Sequence, residues 1–416
     1  MKRRVVVTGM GVVTAISCKV EDLWQRILAG ESGVHPIRLF DTSDLRIKFG
    51  GDIYDWDPTA YIASKEAKRV DRFTQFAMVA GIDAMRDSGL EMDQEDSARC
   101  GVVLGTGIGG LGEVESQMSR LMTKGPDRVS AFTVPKMMLN AAGSVLSIEF
   151  GMHGPNYAVA TACASATNAM ADSLKLIQDG QADVMLTGGT EAAMTRMGMA
   201  AFQNIKALSS RNDDPTHASR PFDADRDGFI FSEGAGLLVF EELEHARARG
   251  ATIYCEVYGA GVSADAGHIT QPDEDGAGAA RAMANALQDA RVDGSTIDYV
   301  NAHGTSTQLG DKAETLALKQ VFQHHARELS ISSTKSHLGH SLGASGGIEL
   351  VVTVKSLLHH LVPPTINLQT PDPDCDLDYT PNQPREREVK TAMSNSFGFG
   401  GHNASVIVGV LRNGRV

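Results

Sequence analysis

Short apolar runs bounded by glycine or small polar residues recur along this chain, at residues 4–9, 101–104, 157–160, 184–186, 236–242, 297–300, 329–332 and 405–409. Runs of that length with such borders predict buried strands. Between them, over residues 21–28, 64–88, 243–249 and 278–290, apolar positions recur at helical spacing and predict amphipathic helices. Residues 36–63, rich in Asp, Pro and aromatics, follow neither period and read as irregular. Strands alternating with helices predict an α/β protein.

The unit around which the rest is arranged is 158–191, AVATACASATNAMADSLKLIQDGQADVMLTGGTE. It reads as strand, sharp turn, helix (stripe Ala169, Met170, Leu174, Ile177) and strand. Cys163 falls at the N-terminal end of that helix. Free amides and the positive end of the helix dipole are expected to lower a thiol's pKa there and make the thiolate available. The same amides could hold an oxyanion formed on an acyl group carried by the sulfur. The alternative is a small buried apolar residue, which is what most free cysteines are.

The pattern is repeated. Residues 4–16 and 252–264 both read as strand, glycine turn and small residues. Amphipathic helices follow at 73–88 and 278–290, then strands leading to Gly105-Thr106 and Gly304-Thr305. Apolar strands beside glycines, at 185–188 and 405–409, close the two copies. This predicts two similar α/β halves, 1–250 and 251–416, with a site between them.

Length, charge and cysteine count narrow the class. At 416 residues two packed halves are natural, and 43 glycines fit a dense fold with many tight turns. The net charge of −13, with no long basic run, argues against wholesale nucleic-acid binding. No apolar stretch is long enough to span a membrane. The start, MKRRVVVTGMGVV, is basic then apolar, but Thr8, Gly9 and Gly11 break it, so it reads as a strand and not as a leader. Five cysteines with no CxxC pair and no metal-like spacing predict a reduced, cytoplasmic protein without a metal site.

Other motifs are weaker. GTGIGG (Gly105 to Gly110) matches GxGxxG, but no acid stands where a ribose would need one, so it reads as a glycine turn beneath a pocket, with Ile108 its only bulky side chain. Asp223, Asp225, Asp227 and Gly228 imitate a calcium loop, yet Gly234 occupies the place of the twelfth-position glutamate, so 209–233 reads as a surface loop. Lys65, Lys68, Arg69 and Arg72 fall on one face of the helix predicted over 64–88, either a solvated face or a basic patch for an acidic partner.

Two histidines stand beside predicted strand ends, as Cys163 does: His303 in NAHGTST and His340 in TKSHLGHSLGASGG. Open α/β sheets place their sites there. A thiolate can carry an acyl group as a thioester. Two imidazoles can stabilise the enolate formed when a second acyl group loses carbon dioxide. A cysteine hydrolase would leave the second histidine without a role.

Thr161-Ala-Cys163-Ala-Ser165, Asn301-Ala-His303-Gly-Thr305-Ser-Thr307, Lys335-Ser-His-Leu-Gly-His340 and Ser396-Phe-Gly-Phe399-Gly-Gly-His-Asn403 together resemble the β-ketoacyl-[acyl-carrier-protein] synthases, and among them the elongating condensing enzymes of bacterial fatty acid synthesis. The likeness covers nearly the whole chain. It implies a thiolase fold, two similar halves in a five-layered α/β/α/β/α sandwich, an obligate homodimer, and an acyl carrier protein as partner. Initiating relatives use Cys-His-Asn, so Cys163, His303 and His340 point to elongation, and retention of Cys163 argues against the inactive chain-length factors.

The resemblance also implies roles. Cys163 would accept the acyl chain, and His303 and His340 would hold the malonyl thioester and its enolate. Lys335 would orient the histidines with Glu349 as its buried partner. The amides of Cys163 and Phe399 would form the oxyanion hole, with Phe399 as gate. Thr270, Thr305 and Thr307 would line the pantetheine channel. Ile108 would set acyl-pocket depth, with Phe202 and Phe397 as further substrate contacts. Lys65, Lys68, Arg69 and Lys206 would meet the carrier protein. No cofactor is implied beyond the phosphopantetheine that arrives on the carrier, although a structural monovalent cation near Asn301 and Glu349 fits the pattern. His337, His402 and Phe231-Ser232-Glu233 depart from the usual residues and leave substrate preference open.

Two rival functions remain. One is a polyketide-type ketosynthase. The other is a serine hydrolase, because GHSLG offers Ser341 as a nucleophile with Asp376 and His402 downstream.

Overall fold

The structure is a computed structural model that describes residues 2–412. The first half runs β1 (Val5–Val13), α1 (Val20–Leu28), the short pair β2 (His35–Pro36) and β3 (Phe49–Gly50), α2 (Ser64–Ala67), α3 (Arg72–Ser88) and β4 (Cys100–Gly105). It continues through α4 (Leu111–Lys124), α5 (Thr133–Met137), α6 (Ala141–Phe150), β5 (Asn156–Val159), α7 (Ser165–Gln178), β6 (Val184–Glu191), α8 (Arg196–Asn204) and β7 (Gly234–Glu242). After α9 (Leu243–Ala248), the second half runs β8 (Cys255–Ala264), α10 (Ala277–Ala290), β9 (Tyr299–Asn301), α11 (Gln308–Phe322), β10 (Ser330–Ser332), α12 (Lys335–Leu338) and α13 (Ser345–His359). A short pair, β11 (Leu361–Val362) and β12 (Arg385–Glu386), precedes β13 (Thr391–Gly398) and β14 (His402–Gly409).

Ten strands hydrogen-bond in the order β10-β9-β13-β14-β8-β1-β7-β6-β4-β5. Read outward from the β8–β1 junction, the two sides carry the same sequence of roles: β8, β14, β13, β9, β10 against β1, β7, β6, β4, β5. The junction itself is thin, Val5 to Val7 paired antiparallel with Cys255 to Val257. Parallel pairs (β4 with β5 and β6, β9 with β10 and β13) lie outermost in each half, and the inner pairs are antiparallel.

Alternation along the strands builds the layers. Val103 and Met185 point into a central core with α7 and α13, whereas Val102, Leu104, Val184 and Leu186 point into an outer core with α3 and α6. In the second half Val300, Ile331, Met393 and Ile407 pack outward against α10 and α11. The helices α7 and α13 touch each other and strands of both halves. The result is the five-layered α/β/α/β/α arrangement, with α7 and α13 in the middle.

Three expectations are corrected. The helix predicted over 64–88 is broken, because the Asp71 carboxylate accepts from the Phe73 amide and starts α3 afresh. Arg72 then turns inward to a bidentate pair with Glu233 at 2.6 and 3.0 Å and leaves the basic face. Residues 209–233 are not a surface loop as a whole, since Phe222 and Phe229 to Glu233 are buried. There the Asp223 carboxylate accepts from the amides of Asp225, Gln369 and Thr370 and has no calcium-loop role. Finally, the counterpart of β6 is β13, and that of β14 is β7. The polar run 391–398 hid a strand in which Asn395 and Ser396 are satisfied internally, with Ser405 Oγ donating to Asn395 Oδ1 at 2.8 Å and Ser396 Oγ bonded to Thr167 Oγ1 at 2.7 Å.

Candidate active site

Cys163 sits in a 3-10 turn, Ala162–Ala164, that joins β5 to α7. Ser165 ties the turn: its Oγ accepts from the Thr161 amide at 2.9 Å and donates to the Ala162 carbonyl at 2.6 Å. Ala162 is held at φ 50°, a left-handed conformation that costs a non-glycine residue energy and is paid for by these bonds. Gly398, the last residue of β13, must lack a side chain, since a Cβ there would lie 2.8 Å from the Thr161 carbonyl and 3.0 Å from the Cys163 amide. That close approach brings the Phe399 amide against the sulfur, and both it and the Cys163 amide favour the thiolate.

The thiol itself departs from expectation. Burial pushes Cys163 up to about 12, and the Lys335 charge with the two amides only partly offsets this. The Cys163 amide does act in the predicted direction, but desolvation is larger. The free protein therefore holds a thiol that needs a base.

His303 follows β9. Its amide and that of Gly304 donate to the two carboxylate oxygens of Glu314 at 2.9 and 2.8 Å, which fixes the turn on α11. His340 is placed by backbone pairing with the Phe229 to Ser232 segment: its amide donates to the Ile230 carbonyl at 2.7 Å, and its carbonyl accepts from the Ser232 amide at 3.0 Å. The His340 ring packs edge-on to Phe229, and its Nδ1 lies 3.0 Å from Ser345 Oγ. Burial, then the nearby Lys335 charge, holds both imidazoles well below 6.5, so both are neutral. His303 Nδ1 and His340 Nε2 are buried nitrogens without a hydrogen-bond partner.

Lys335, on α12, is 2% exposed and forms a short ion pair with Glu349 of α13. Burial raises the Glu349 carboxyl while Lys335 opposes the shift. Its Oε2 is left unpartnered, as is Ser394 Oγ, and Ser394 lies in register with Asn301 on the adjacent strand. Asn301 Nδ2 donates to the Glu349 carbonyl at 3.1 Å. Two buried, unpartnered oxygens around an asparagine suit a monovalent cation in donor chemistry.

A cavity of about 350 Å³ joins these loops. Cys163, His303 and His340 line it together with Phe397 and Phe399. Thr305 and Thr307 face it from the turn after β9, and Thr270, Phe202 and Lys206 from the outer wall. The loop between β13 and β14, which carries Phe399 onto the cavity, is held in place: the Gly400 amide donates to the Ile269 carbonyl at 2.8 Å, and Asn403 Nδ2 to Asp265 at 2.6 Å. Lys335 and Glu349 lie behind the wall. Ile108 is in the apolar cluster that contains Cys163 and Leu342 and is not on the cavity surface. Lys65, Lys68 and Arg69 are exposed around α2, with Arg69 paired to Glu66 at 2.8 Å, and only Lys206 of the four basic candidates lines the cavity.

The hydrolase constellation does not assemble. Ser341 Oγ faces Ser345 Oγ at 3.2 Å, Asp376 pairs with Lys319 and Arg327, and His402 is exposed at the start of β14. Sequence reasoning missed Glu314 and its neighbour Asp311, both fully buried. The available signal was an acid set among the core positions Ala313, Ala317 and Leu318 of α11.

A neutral imidazole pair, a buried thiol and an amide pair around one cavity on a doubled α/β fold define a condensing enzyme of the thiolase-fold class. Residues 2–246 match the family model for the β-ketoacyl synthase N-terminal domain, and residues 254–369 the model for its C-terminal domain. The chain is 51% identical to 3-oxoacyl-[acyl-carrier-protein] synthase 2 of Synechocystis sp., covering 97% of each chain. It is 46% identical to the enzyme of that name from Coxiella burnetii, covering 98% of each. A β-ketoacyl synthase from Burkholderia phymatum superposes with TM-score 0.92 at 36% identity, over 99% of this chain and 100% of that one. A type II polyketide ketosynthase, solved with its acyl-carrier protein and bound to the hexaketide, gives TM-score 0.91 at 34% identity, over 99% of this chain and 100% of that one. The chain belongs to the β-ketoacyl synthase family.

Proposed function

We infer that the chain is an elongating 3-oxoacyl-[acyl-carrier-protein] synthase of fatty acid biosynthesis, an acyltransferase that joins malonyl units to a cysteine-bound chain. The observation that carries this is the meeting of Cys163, His303 and His340 on one cavity, with two imidazole nitrogens unpartnered. Identity of 46–51% to synthases of that type, against 34% to the polyketide ketosynthase, favours the fatty-acid reading over the polyketide one.

In the first step the Cys163 sulfur attacks the carrier's thioester carbonyl, and its proton passes by way of either neutral imidazole, one being sufficient, to the departing pantetheine thiol. The amides of Cys163 and Phe399 hold the oxyanion. Malonyl-carrier protein then enters, and its C–C bond breaks to release carbon dioxide. Imidazole N–H groups of His303 and His340 hold the enolate oxygen. The carbanion attacks the Cys163 thioester, the C–S bond breaks, and a 3-oxoacyl-carrier protein leaves, lengthened by two carbons. The sulfur regains a proton. Electrons balance without a redox cofactor, and the pantetheine arrives on the carrier.

The carrier protein would meet the basic side chains Lys65, Lys68, Arg69 and Lys206, the last at the cavity mouth. Glu349 and Ser394, beside Asn301, would hold a structural monovalent cation that offsets buried negative charge. A second copy of the chain would cover the exposed edge strand β5 with Tyr157 and the apolar side chains Met118, Met122, Phe132 and Ile148, giving a homodimer. Among the described residues no helix is long and apolar enough to cross a membrane. A cytoplasmic location is proposed from the reduced cysteines.

The test is intact-protein mass after incubation with a long-chain acyl-carrier protein. One acyl adduct on wild type, absent from Cys163→Ala and discharged by malonyl-carrier protein, is expected. An adduct that persists in the variant overturns the assignment of the nucleophile.

A further inference from the structure

The duplication places a second copy of the nucleophile turn in the other half. Ala162–Ala164 with φ 50° at Ala162 precedes α7 at Ser165; Leu342–Ala344 with φ 45° at Leu342 precedes α13 at Ser345. Gly343 is thus the counterpart of Cys163. In the first half the Cys163 amide awaits an acyl oxygen. In the second the Gly343 amide is already occupied: it donates to the Glu191 carboxylate at 3.2 Å. Glu191 ends β6, as Gly398 ends β13, so its side chain fills the place that the substrate's oxyanion takes on the catalytic side.

The same carboxylate fills the glycine turn after β4. It accepts from the amides of Gly107 at 2.7 Å, Ile108 at 3.3 Å and Gly109 at 3.3 Å, and from Thr106 Oγ at 3.1 Å. The glycine turn that matches GxGxxG is therefore closed by an internal anion. Glu191 is fully buried, and burial pushes it to about 7 against its five donors. The clasp is tight: a Cβ on Gly343 would lie 2.4 Å from the Gly107 amide and 2.8 Å from the Glu191 carboxylate. One end carries Ile108, the other Leu342 on the cavity wall, and both share an apolar cluster with Cys163.

We propose that Glu191 is a positioning residue for the acyl chain, its carboxylate fixing the Ile108 turn against the Leu342–Gly343 turn and so setting which chain lengths fit beside Cys163. The proposal rests on the condensing reading given above. Glu191→Gln keeps the volume but turns one oxygen into a donor, which faces amide donors on whichever side it points. The expected result, from kcat/KM for condensation with a short and a long saturated acyl-carrier protein, is a change of about tenfold in the long-to-short ratio, mainly through KM. An equal fall for both lengths, tracking a lower melting temperature, would make Glu191 merely structural and overturn the proposal. If Glu191→Gln does not fold, Thr106→Val removes a single donor and is expected to shift the ratio in the same direction by a smaller factor; an unchanged ratio there overturns it. Wild type that fails to condense overturns the condensing reading and this one with it, whereas wild type that condenses beside a variant of unchanged ratio overturns this one alone.

Discussion

His303 and His340 stand with ring centroids 5.4 Å apart and planes at 85°, although one follows β9 and the other β10 by way of α12. Burial, with the Lys335 charge adding to it, keeps both neutral, so each can present one N–H to an enolate oxygen. Replacing either with alanine is expected to lower condensation by about 10²–10³-fold while Cys163 still acquires its acyl group. Single-turnover acylation and decarboxylation assays separate the steps. Loss of acylation in His303→Ala would make that residue the indispensable base of the first step.

With Cys163 pushed up to about 12, thiolate is scarce in the free protein near neutrality. Alkylation by iodoacetamide is expected to accelerate steadily, close to tenfold per pH unit, from about pH 7 to about pH 10. A plateau below about pH 8 would show that the amides and Lys335 outweigh burial.

Lys335 and Glu349 are both almost fully buried. Removing one partner strands a charge, so Lys335→Ala is expected to cost about 3–5 kcal/mol in urea unfolding. Lys335→Met combined with Glu349→Leu is expected to recover most of that stability but not the activity. A double variant as unstable as the single would show that the stranded charge is not the cause.

Gly398 lets the loop between β13 and β14 touch the Cys163 turn. Gly398→Ala forces a methyl against the Thr161 carbonyl and the Cys163 amide and displaces the Phe399 amide. Acylation of Cys163 is expected to slow by about 10²-fold or more, the scale for losing one oxyanion donor, with the fold retained by circular dichroism. Unchanged acylation would remove Phe399 from the oxyanion hole.

Much of this was legible because reactive side chains sat at strand ends beside glycines. Cys163, His303 and His340 announced themselves by residue type and place. Glu191 and Glu314 did not, because an acid among glycines or on a helix stripe reads as polar surface until its donors are known. The donors of Glu191 lie 82 to 152 residues away in the chain. Arg72 shows the converse. Helical spacing put it on a basic face, but the cap at Asp71 and the buried Glu233 pulled it inside. The thiol of Cys163 failed for a third reason: sequence shows the helix dipole but not the depth of burial opposing it.

Glu314 offers a test of that last point. Burial raises its carboxyl to about 7, although the amides of His303 and Gly304 favour the anion. A carboxyl whose folded value exceeds its unfolded value of 4.5 adds stability that is fully present below about pH 4.5 and is lost as pH rises through about 7. At about 1.4 kcal/mol per pH unit, the loss amounts to about 3 kcal/mol. Glu314→Gln does not titrate, and its amide nitrogen cannot accept from one of the two backbone donors. The variant is therefore expected to be less stable than wild type at about pH 5, with the gap narrowing by up to about 3 kcal/mol by about pH 8. Urea unfolding at the two pH values reads this directly. A gap that stays constant or widens would place the folded carboxyl at or below its ordinary value, and the backbone donors, not burial, would then govern the turn that carries His303.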